Sequence, residues 1–345
     1  MTLTNTTSIS IIVPNYNGSG VLCDLLQSIR EQDYTGGHIE LIIVDDASVD
    51  NSLDIVQSSY PEAITIQNGR RKGAAYSKNR GIHAARGEWL VFLDSDIVLT
   101  KSFLTELFHG IEESEKTAFQ PKILFLGKPD VLNSTGGVAN MFGYAWDRGI
   151  YEEDKSQYDD SRNILFASTA AMFIKRSTIT SAGLFDADYE YLNEDFDLGY
   201  RLHMMGGWVQ YIPNAVCYHR MSHTMGRENA RVKYLMERNR ITTLFKNYEF
   251  KTLLKIVPEL FRIKHKKYSA YMRSGGAKRA GYINAALGSW FWVLINLIKI
   301  FIKRKRVQRL RRVSDEEIFF NMGDRRKLFP SFSKWADMAH SSRLR

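Results

Sequence analysis

Four short apolar runs, each leading into a polar or acidic stretch and three of them followed by helical spacing, constrain this chain more than any other feature. Ile9-Ser10-Ile11-Ile12-Val13 stops at Pro14, and Val21, Leu22, Leu25, Leu26 and Ile29 follow at helical spacing. Ile39 to Val44 precedes a helix predicted over Asp50 to Ser58, with Ser48 or Asp50 as its N-cap. Ala63 to Gln67 precedes a helix over Ala74 to Ala85, and Glu88 to Leu93 is a fourth strand. Continuous apolar strands are buried on both faces, so this alternation predicts an α/β fold of parallel βαβ units, with helices covering both sides of one sheet. Ligands in such sheets bind beyond the carboxyl ends of the strands. The residues at those ends are Asn15-Tyr16-Asn17-Gly18, Asp45-Asp46 and Asp94-Ser95-Asp96.

Beyond residue 115 the alternation loosens. Phe119 to Leu126 reads as a strand, and 127–162 as a Gly- and Asp-rich pocket rim. Ile164 to Ile174 returns to the sheet, Glu194 to Met205 is helical, Trp208 to Ile212 is a strand, and the pattern from Arg227 onward is helical. The length of 345 residues suits one large domain or a domain with an appendage. We read 1–225 as the catalytic domain and 226–345 as a helical, basic extension. With only Cys23 and Cys217 there is no disulfide framework, and Met1 to Ser8 lack the basic start and apolar run of a secretory signal. Both observations predict a cytoplasmic protein.

Asp94 and Asp96, two positions apart at a strand end, can share a hard divalent cation, which in turn can neutralise a diphosphate. A surface turn would use the same residues without a metal. Asp45-Asp46 can accept hydrogen bonds from a base or a ribose, or can cap the following helix. In Glu194-Asp195-Phe196-Asp197, helix capping accounts for one or two carboxylates, and the remaining one can take a proton from an attacking hydroxyl. His219 can complete a site begun by Asp94 and Asp96. The first strand is not followed by Gly-x-Gly-x-x-Gly, and there is no Gly-Lys-Ser/Thr phosphate loop, which argues against dinucleotide oxidoreductases and P-loop nucleotide hydrolases.

Five blocks in register resemble the family 2 glycosyltransferases, whose fold is called GT-A. They are Ile11-Ile12-Val13-Pro14-Asn15-Tyr16-Asn17, Ile43-Val44-Asp45-Asp46-Ala47-Ser48-x-Asp50, Gly73 to Asn79-Arg80-Gly81, Gly87-Glu88 through Asp94-Ser95-Asp96, and Asn193-Glu194-Asp195-Phe196-Asp197-Leu198-Gly199-Tyr200-Arg201. The resemblance implies a mixed sheet flanked by helices and a nucleotide-diphospho-sugar donor held by Pro14, Asn15, Tyr16, Asp45, Asp46, Gly73, Asn79, Asp94 and Ser95. It further implies Mg2+ or Mn2+ on Asp94 and Asp96 with His219 as a third ligand, and Asp195 as catalytic base with Glu194 beside it. The reaction so implied is inverting transfer to a hydroxyl. Arg71 departs from the pattern, standing where the family often has Asn. Leu132-Asn133-Ser134-x-Gly136-Gly137, Asp147-Arg148-Gly149, Arg238-Asn239-Arg240 and the Arg311-Arg312-Val313-Ser314-Asp315 tail resemble bacterial enzymes of cell-surface polysaccharide synthesis, including rhamnosyltransferases. For Arg238 and Arg240 the alternatives are a solvated helix face or a contact to donor or lipid phosphate.

Charge is unevenly distributed. Residues 251–312 hold 17 Lys and Arg against one acidic residue, Glu259, a charge of +16, while the remainder has 30 against 37 and carries −7. Gly281 to Ile302 is mostly apolar and as one helix would reach roughly 33 Å. Basic flanks on both sides disfavour a span, so the expectation is an in-plane helix held on an anionic membrane surface by residues 262–312. The alternative is a helix covering the catalytic domain's own core. No nucleic-acid recognition motif accompanies the basic residues, and a membrane suits an acceptor carried on a polyprenyl diphosphate. Two rivals to the transferase are a sugar nucleotidyltransferase, which would need a Gly-rich basic loop after the first strand, and a binding module without catalysis.

Overall fold

The computed structural model describes residues 8–111, 117–159, 163–221, 230–273 and 278–321. Strands β1 (Ile9–Asn15), β2 (Ile39–Asp45), β3 (Ile64–Gln67) and β4 (Trp89–Leu93) are parallel and lie in the order β4-β1-β2-β3. Helices α1 (Leu22–Arg30), α2 (Ser52–Ser59) and α3 (Ala74–Ala84) connect them. Successive strand residues point to opposite faces, which divides the core in two. Ile9, Ile11 and Val13 pack with Leu22, Leu25 and Ile29 of α1, whereas Ile12, Ile42 and Phe92 pack with Ala75 and Ile82 of α3. Each fully buried Val, Leu, Ile or Phe among them contributes about 1.5–3 kcal/mol. Helix α3 lies so close that a Cβ on Gly81 would fall 2.3 Å from Ile12 Cγ2.

The second half widens the sheet. It comprises β5 (Ile97–Leu99), α4 (Phe103–His109), β6 (Thr117–Phe125), β7 (Lys128–Ser134), the hairpin of β8 (Gly137–Ala139) and β9 (Ala145–Asp147), β10 (Asn163–Ile164), β11 (Ala171–Lys175), α5 (Arg176–Ser181), a 3-10 turn at Ala187–Tyr189, α6 (Glu194–Met204) and β12 (Trp208–His219). Strand β11 inserts antiparallel between β4 and β6, and β12 runs parallel to β6 beyond it. The region expected to return to the sheet at Ile164 to Ile174 supplies two separate strands, β10 and β11. The strand expected over Trp208 to Ile212 continues to His219, with its register broken between Ile212 and Val216. Pro213, which has no N–H to give the ladder, lies in that break. The N-cap position of α2 is Asn51, one residue beyond the expected Asp50; the Asp50 carboxylate still accepts the Ser52 N–H at 3.1 Å, while the Ser48 hydroxyl is committed to Asp45.

The C-terminal part forms α7 (Ala230–Asn247), α8 (Phe250–Arg273), α9 (Lys278–Ile295), α10 (Leu297–Gln308) and α11 (Asp315–Asn321). Phe196, Tyr200 and Met204 of α6 share a core with Leu244 of α7, Leu253 and Leu260 of α8, and Ile318 of α11. These helices therefore cover the element that carries Asp195. The single helix expected over Gly281 to Ile302 is instead two, bent by 69° at Asn296. The Asn296 amide donates to the Trp292 carbonyl at 2.9 Å, and Lys299 and Lys303 of α10 pair with Asp188 and Asp186, which turns α10 back onto the turn before α6. Among the described residues no single helix is long and apolar enough to cross a membrane, and the bent pair passes that test only when taken together.

Candidate active site

The sheet gathers the acidic cluster by pairing. Asp94 follows the last residue of β4 and its N–H donates to the Ala170 carbonyl, while β5 pairs antiparallel with the end of β12 and sets Ile97 opposite His219. That register brings Asp96 Oδ1 to 3.1 Å from His219 Nε2. One ligand atom each from Asp94, Asp96 and His219 lie within 4.8 Å of one another. His219 Nδ1 faces Asn133 Oδ1 at 3.1 Å, an arrangement that fixes the ring and directs Nε2 into the cluster. Burial works against the imidazolium, but the hydrogen bond and charge of Asp96 outweigh it and raise the His219 pKa. Burial raises the Asp94 carboxyl. Two carboxylates and an oriented imidazole form a donor set that fits a divalent cation of the Mn2+ kind.

Asp195 stands in the first turn of α6, and its carboxylate accepts the Phe196 N–H at 2.7 Å. Burial, followed by the charges of Glu194 and Asp147, pushes its pKa up to about 8. A carboxyl so raised is matched to taking a proton near neutral pH. Glu194, expected beside the base as a catalytic group, has another task. It is buried, 3.1 Å from Lys78 Nζ, and Thr169 bridges the two. Desolvation disfavours the charged form of Lys78, but Glu194 and Asp94 overcome it and raise the lysine's pKa. Lys78 is thus a buried positive charge, 3.1 Å from Glu194, that acts on Asp94, Glu194 and Asp195 alike.

On the neighbouring strand ends, the carboxylates are committed to the protein. Asp45 accepts from Asn15 Nδ2 at 2.9 Å, from the Ser48 hydroxyl at 2.5 Å and from the Ser48 N–H at 2.9 Å. Asp46 accepts from Asn68 Nδ2 at 2.7 Å and from the N–H groups of Lys72 and Gly73 at 2.8 and 2.7 Å. It therefore shapes the 70–73 loop, with one of about four carboxylate acceptor positions left over. Gly73 has φ +93°, and a Cβ there would lie 2.6 Å from the Glu190 backbone. Arg71 lies over the Tyr16 ring at 3.9 Å, and a cavity of about 90 Å³ lined by Arg71, Lys72, Gly73, Glu190, Tyr191 and Arg231 opens beside it. Pro14 and Ser95 are half-buried at the ends of β1 and β4. Asn79 is placed differently: its amide donates to and accepts from the Phe185 backbone at 2.8 and 3.0 Å, tying α3 to the turn before Ala187.

Three site residues carried no role from the sequence. Asp147, at the end of β9, acts by charge on both Asp195 and His219, and burial raises its own pKa. Asn133 orients His219, and Lys78 neutralises Glu194. The only signal for the first two was their place in the short motifs around 133 and 147; Lys78 has the appearance of any helix-surface lysine. Arg238 and Arg240, read as solvated or phosphate-binding, are instead buried and bonded to the protein itself.

A mixed sheet with an Asp-Asp-His cluster and a separate raised carboxyl beyond its strand ends is the GT-A architecture of nucleotide-sugar transferases. Residues 10–179 match the family model described as Glycosyl transferase family 2, and this part of the chain belongs to that family. Glycosyltransferase GlyG of Streptococcus pneumoniae is 34% identical over 115 residues, covering 31% of this chain and 36% of GlyG. Across the first three curated relatives matched, the alignments span 36%, 37% and 51% of the relative's length. The structure of residues 1 to 349 of Staphylococcus aureus TarS in complex with UDP is similar at TM-score 0.54 and 17% identity, covering 88% of this chain and 89% of that one. The mannosyltransferase PcManGT of Pyrobaculum calidifontis, in complex with GDP-Man and Mn2+, is similar at TM-score 0.52 and 17% identity, covering 89% and 88%.

Proposed function

We propose that this protein is a metal-dependent, inverting glycosyltransferase that moves a sugar from a nucleotide-diphospho-sugar to a hydroxyl of a glycan or lipid-linked acceptor in cell-surface polysaccharide synthesis. The observation that carries the proposal is the convergence of Asp94, Asp96 and His219 to within 4.8 Å of one another. A divalent cation, Mg2+ or Mn2+, held by those three side chains would neutralise charge growing on the departing diphosphate. Similarity to proteins whose structures contain UDP, or GDP-Man with Mn2+, supports a nucleotide-sugar donor and a metal.

The protein's own groups divide the remaining work. Pro14 and Asn15, the Tyr16 ring and the loop shaped by Asp46 and Gly73 receive the base and ribose, with Asp45 holding Asn15 in place. Ser95, between the two acidic ligands, lies on the diphosphate side. Asp195 takes the proton from the acceptor hydroxyl, which attacks the anomeric carbon from the face opposite the leaving group and inverts it. Glu194 and Asp147 raise the basicity of Asp195 by repulsion, and Lys78 limits the rise. The test is to supply a panel of nucleotide-sugars with Mn2+ and follow the anomeric signal by NMR. The proposal predicts a product of inverted configuration, with no turnover in Asp195→Asn; retention of configuration, or full turnover in that variant, would refute it.

The protein works, in this reading, as a peripheral protein at the cytoplasmic face of the membrane. Phe291, Leu294 and Ile295 of α9 and Ile298, Phe301 and Ile302 of α10 are each half exposed or more, and the exposed Lys305, Arg306 and Arg309 follow them. Apolar side chains flanked by basic ones suit the interface of an anionic lipid surface. Of the 262–312 stretch, residues 274–277 lie outside the described part.

A further inference from the structure

The loop that delivers Asp195 has an unusual backbone. Glu190, Leu192 and Asn193 have φ values of 62°, 70° and 68°, in the left-handed region that side-chain-bearing residues avoid. Such a segment persists only where its surroundings hold it, and the hold comes from α7, nearly fifty residues further along the chain. Asn239 Nδ2 lies 2.9, 2.9 and 2.8 Å from the carbonyl oxygens of Tyr189, Tyr191 and Leu192, so two amide hydrogens serve three acceptors. Arg238 Nε donates to Asn239 Oδ1 at 2.9 Å, which turns the amide's hydrogens toward the loop. The same guanidinium donates to the Asp188 and Tyr189 carbonyls at 2.7 and 3.1 Å and to Glu190 Oε1 at 3.1 Å. Both side chains are buried, at 4% and 1% exposure.

The clamped segment joins the two halves of the site. On one side the Glu190 carbonyl accepts the Ala75 N–H at 2.9 Å and its backbone lies against Gly73, next to the loop shaped by Asp46. On the other side it runs directly into Glu194 and Asp195.

We propose that Arg238 and Asn239 are positioning residues for the reaction: they hold the 189–193 segment, with its three left-handed residues, so that Asp195 faces the acceptor side of the acidic cluster. The inference rests on the reading of Asp195 as the base. The hydrogen bonds of both side chains go to the protein itself, so their effect falls chiefly on the geometry of proton removal and less on donor affinity. A displacement of about 1 Å at such a group costs about 100-fold in rate.

The test variant is Asn239→Asp, which keeps size but sets a carboxylate against three carbonyl oxygens. Arg238→Lys, which retains charge opposite Glu190 but loses the Nε–H donor to Asn239, covers the case in which the first variant does not fold. The readouts are kcat and donor KM for sugar transfer or donor hydrolysis, nucleoside diphosphate affinity with Mn2+ by calorimetry, and Asp195→Asn in parallel. The expected result is a kcat lowered by about 100-fold, with KM and nucleotide affinity within about twofold of the parent. A folded variant with parental kcat, or one that loses nucleotide affinity as much as kcat, overturns the positioning role. If Asp195→Asn is inactive while the two variants are not, the positioning role alone falls; if Asp195→Asn turns over like the parent, the base reading falls and this inference with it.

Discussion

Replacing Asp195 by Asn should make the metal-free protein more stable. Burial and the charges of Glu194 and Asp147 push the Asp195 carboxyl from 3.8 up to about 8, so the folded protein holds a proton there that the unfolded chain releases. The shift of about four pKa units would correspond to about 5–6 kcal/mol for a fully desolvated group. Asp195 is only half-buried, and the water it keeps reduces the cost of its charge to about 2 kcal/mol. The sign follows from linkage: between pH 4 and 8 the native state binds more protons than the unfolded one, so stability falls as pH rises through that window. Below pH 4 both states are protonated and the cost disappears. Asparagine carries no charge and can keep the Phe196 N–H bond. For a chain of this size about 2 kcal/mol is about 3 °C in melting temperature. Thermal melts without metal should show Asp195→Asn about 3 °C above the parent at pH 8, a gain that shrinks as the pH is lowered and is gone below pH 4. An equal or lower melting temperature at pH 8, or a gain independent of pH, would refute the account of this carboxyl.

Two further outcomes follow from other parts of the structure. Lys78→Met leaves the buried Glu194 carboxylate without its 3.1 Å partner, and should lower unfolding free energy by about 3–5 kcal/mol in a denaturant titration; Lys78→Met with Glu194→Gln should recover most of it, and failure to recover would show that the pair is not what the site depends on. Phe291→Glu with Ile298→Glu changes two exposed side chains of the bent helix pair, at 65% and 80% exposure; sedimentation with phosphatidylglycerol vesicles should be lost while the melting temperature stays within a degree or two, and undiminished sedimentation would remove the membrane reading.

The parallel half of the sheet was legible because its strands are continuous apolar runs that only a doubly covered sheet can bury, and Asp94, Asp96 and Asp195 stood out against them. The second half was less so. Strand β11 inserts antiparallel beside β4, a pairing set by contacts distant in the chain, and Pro213 hides the continuity of β12 from a strand pattern. His219 reaches Asp96 only because β5 folds back on that same strand. Lys78 reads as an ordinary helix lysine, since nothing local announces that Glu194, far along the sequence, meets it in the interior. Asp45 and Asp46 were visible as acidic residues at a strand end, but their hydrogen-bond partners are loop N–H groups, Asn15 and Asn68, which no spacing rule connects. The bend at Asn296 likewise depends on Asp186 and Asp188, more than a hundred residues earlier.

The central claim, that Asp94, Asp96 and His219 bind a cation that in turn holds the donor's diphosphate, is tested most directly by calorimetric titration of nucleoside diphosphates with and without Mn2+, on the parent and on Asp96→Asn. The account predicts that Mn2+ tightens binding to the parent by about tenfold or more, the effect of about 1.4 kcal/mol from one charge-neutralising contact, and leaves the variant's affinity unchanged. Equal tightening in both proteins would contradict it.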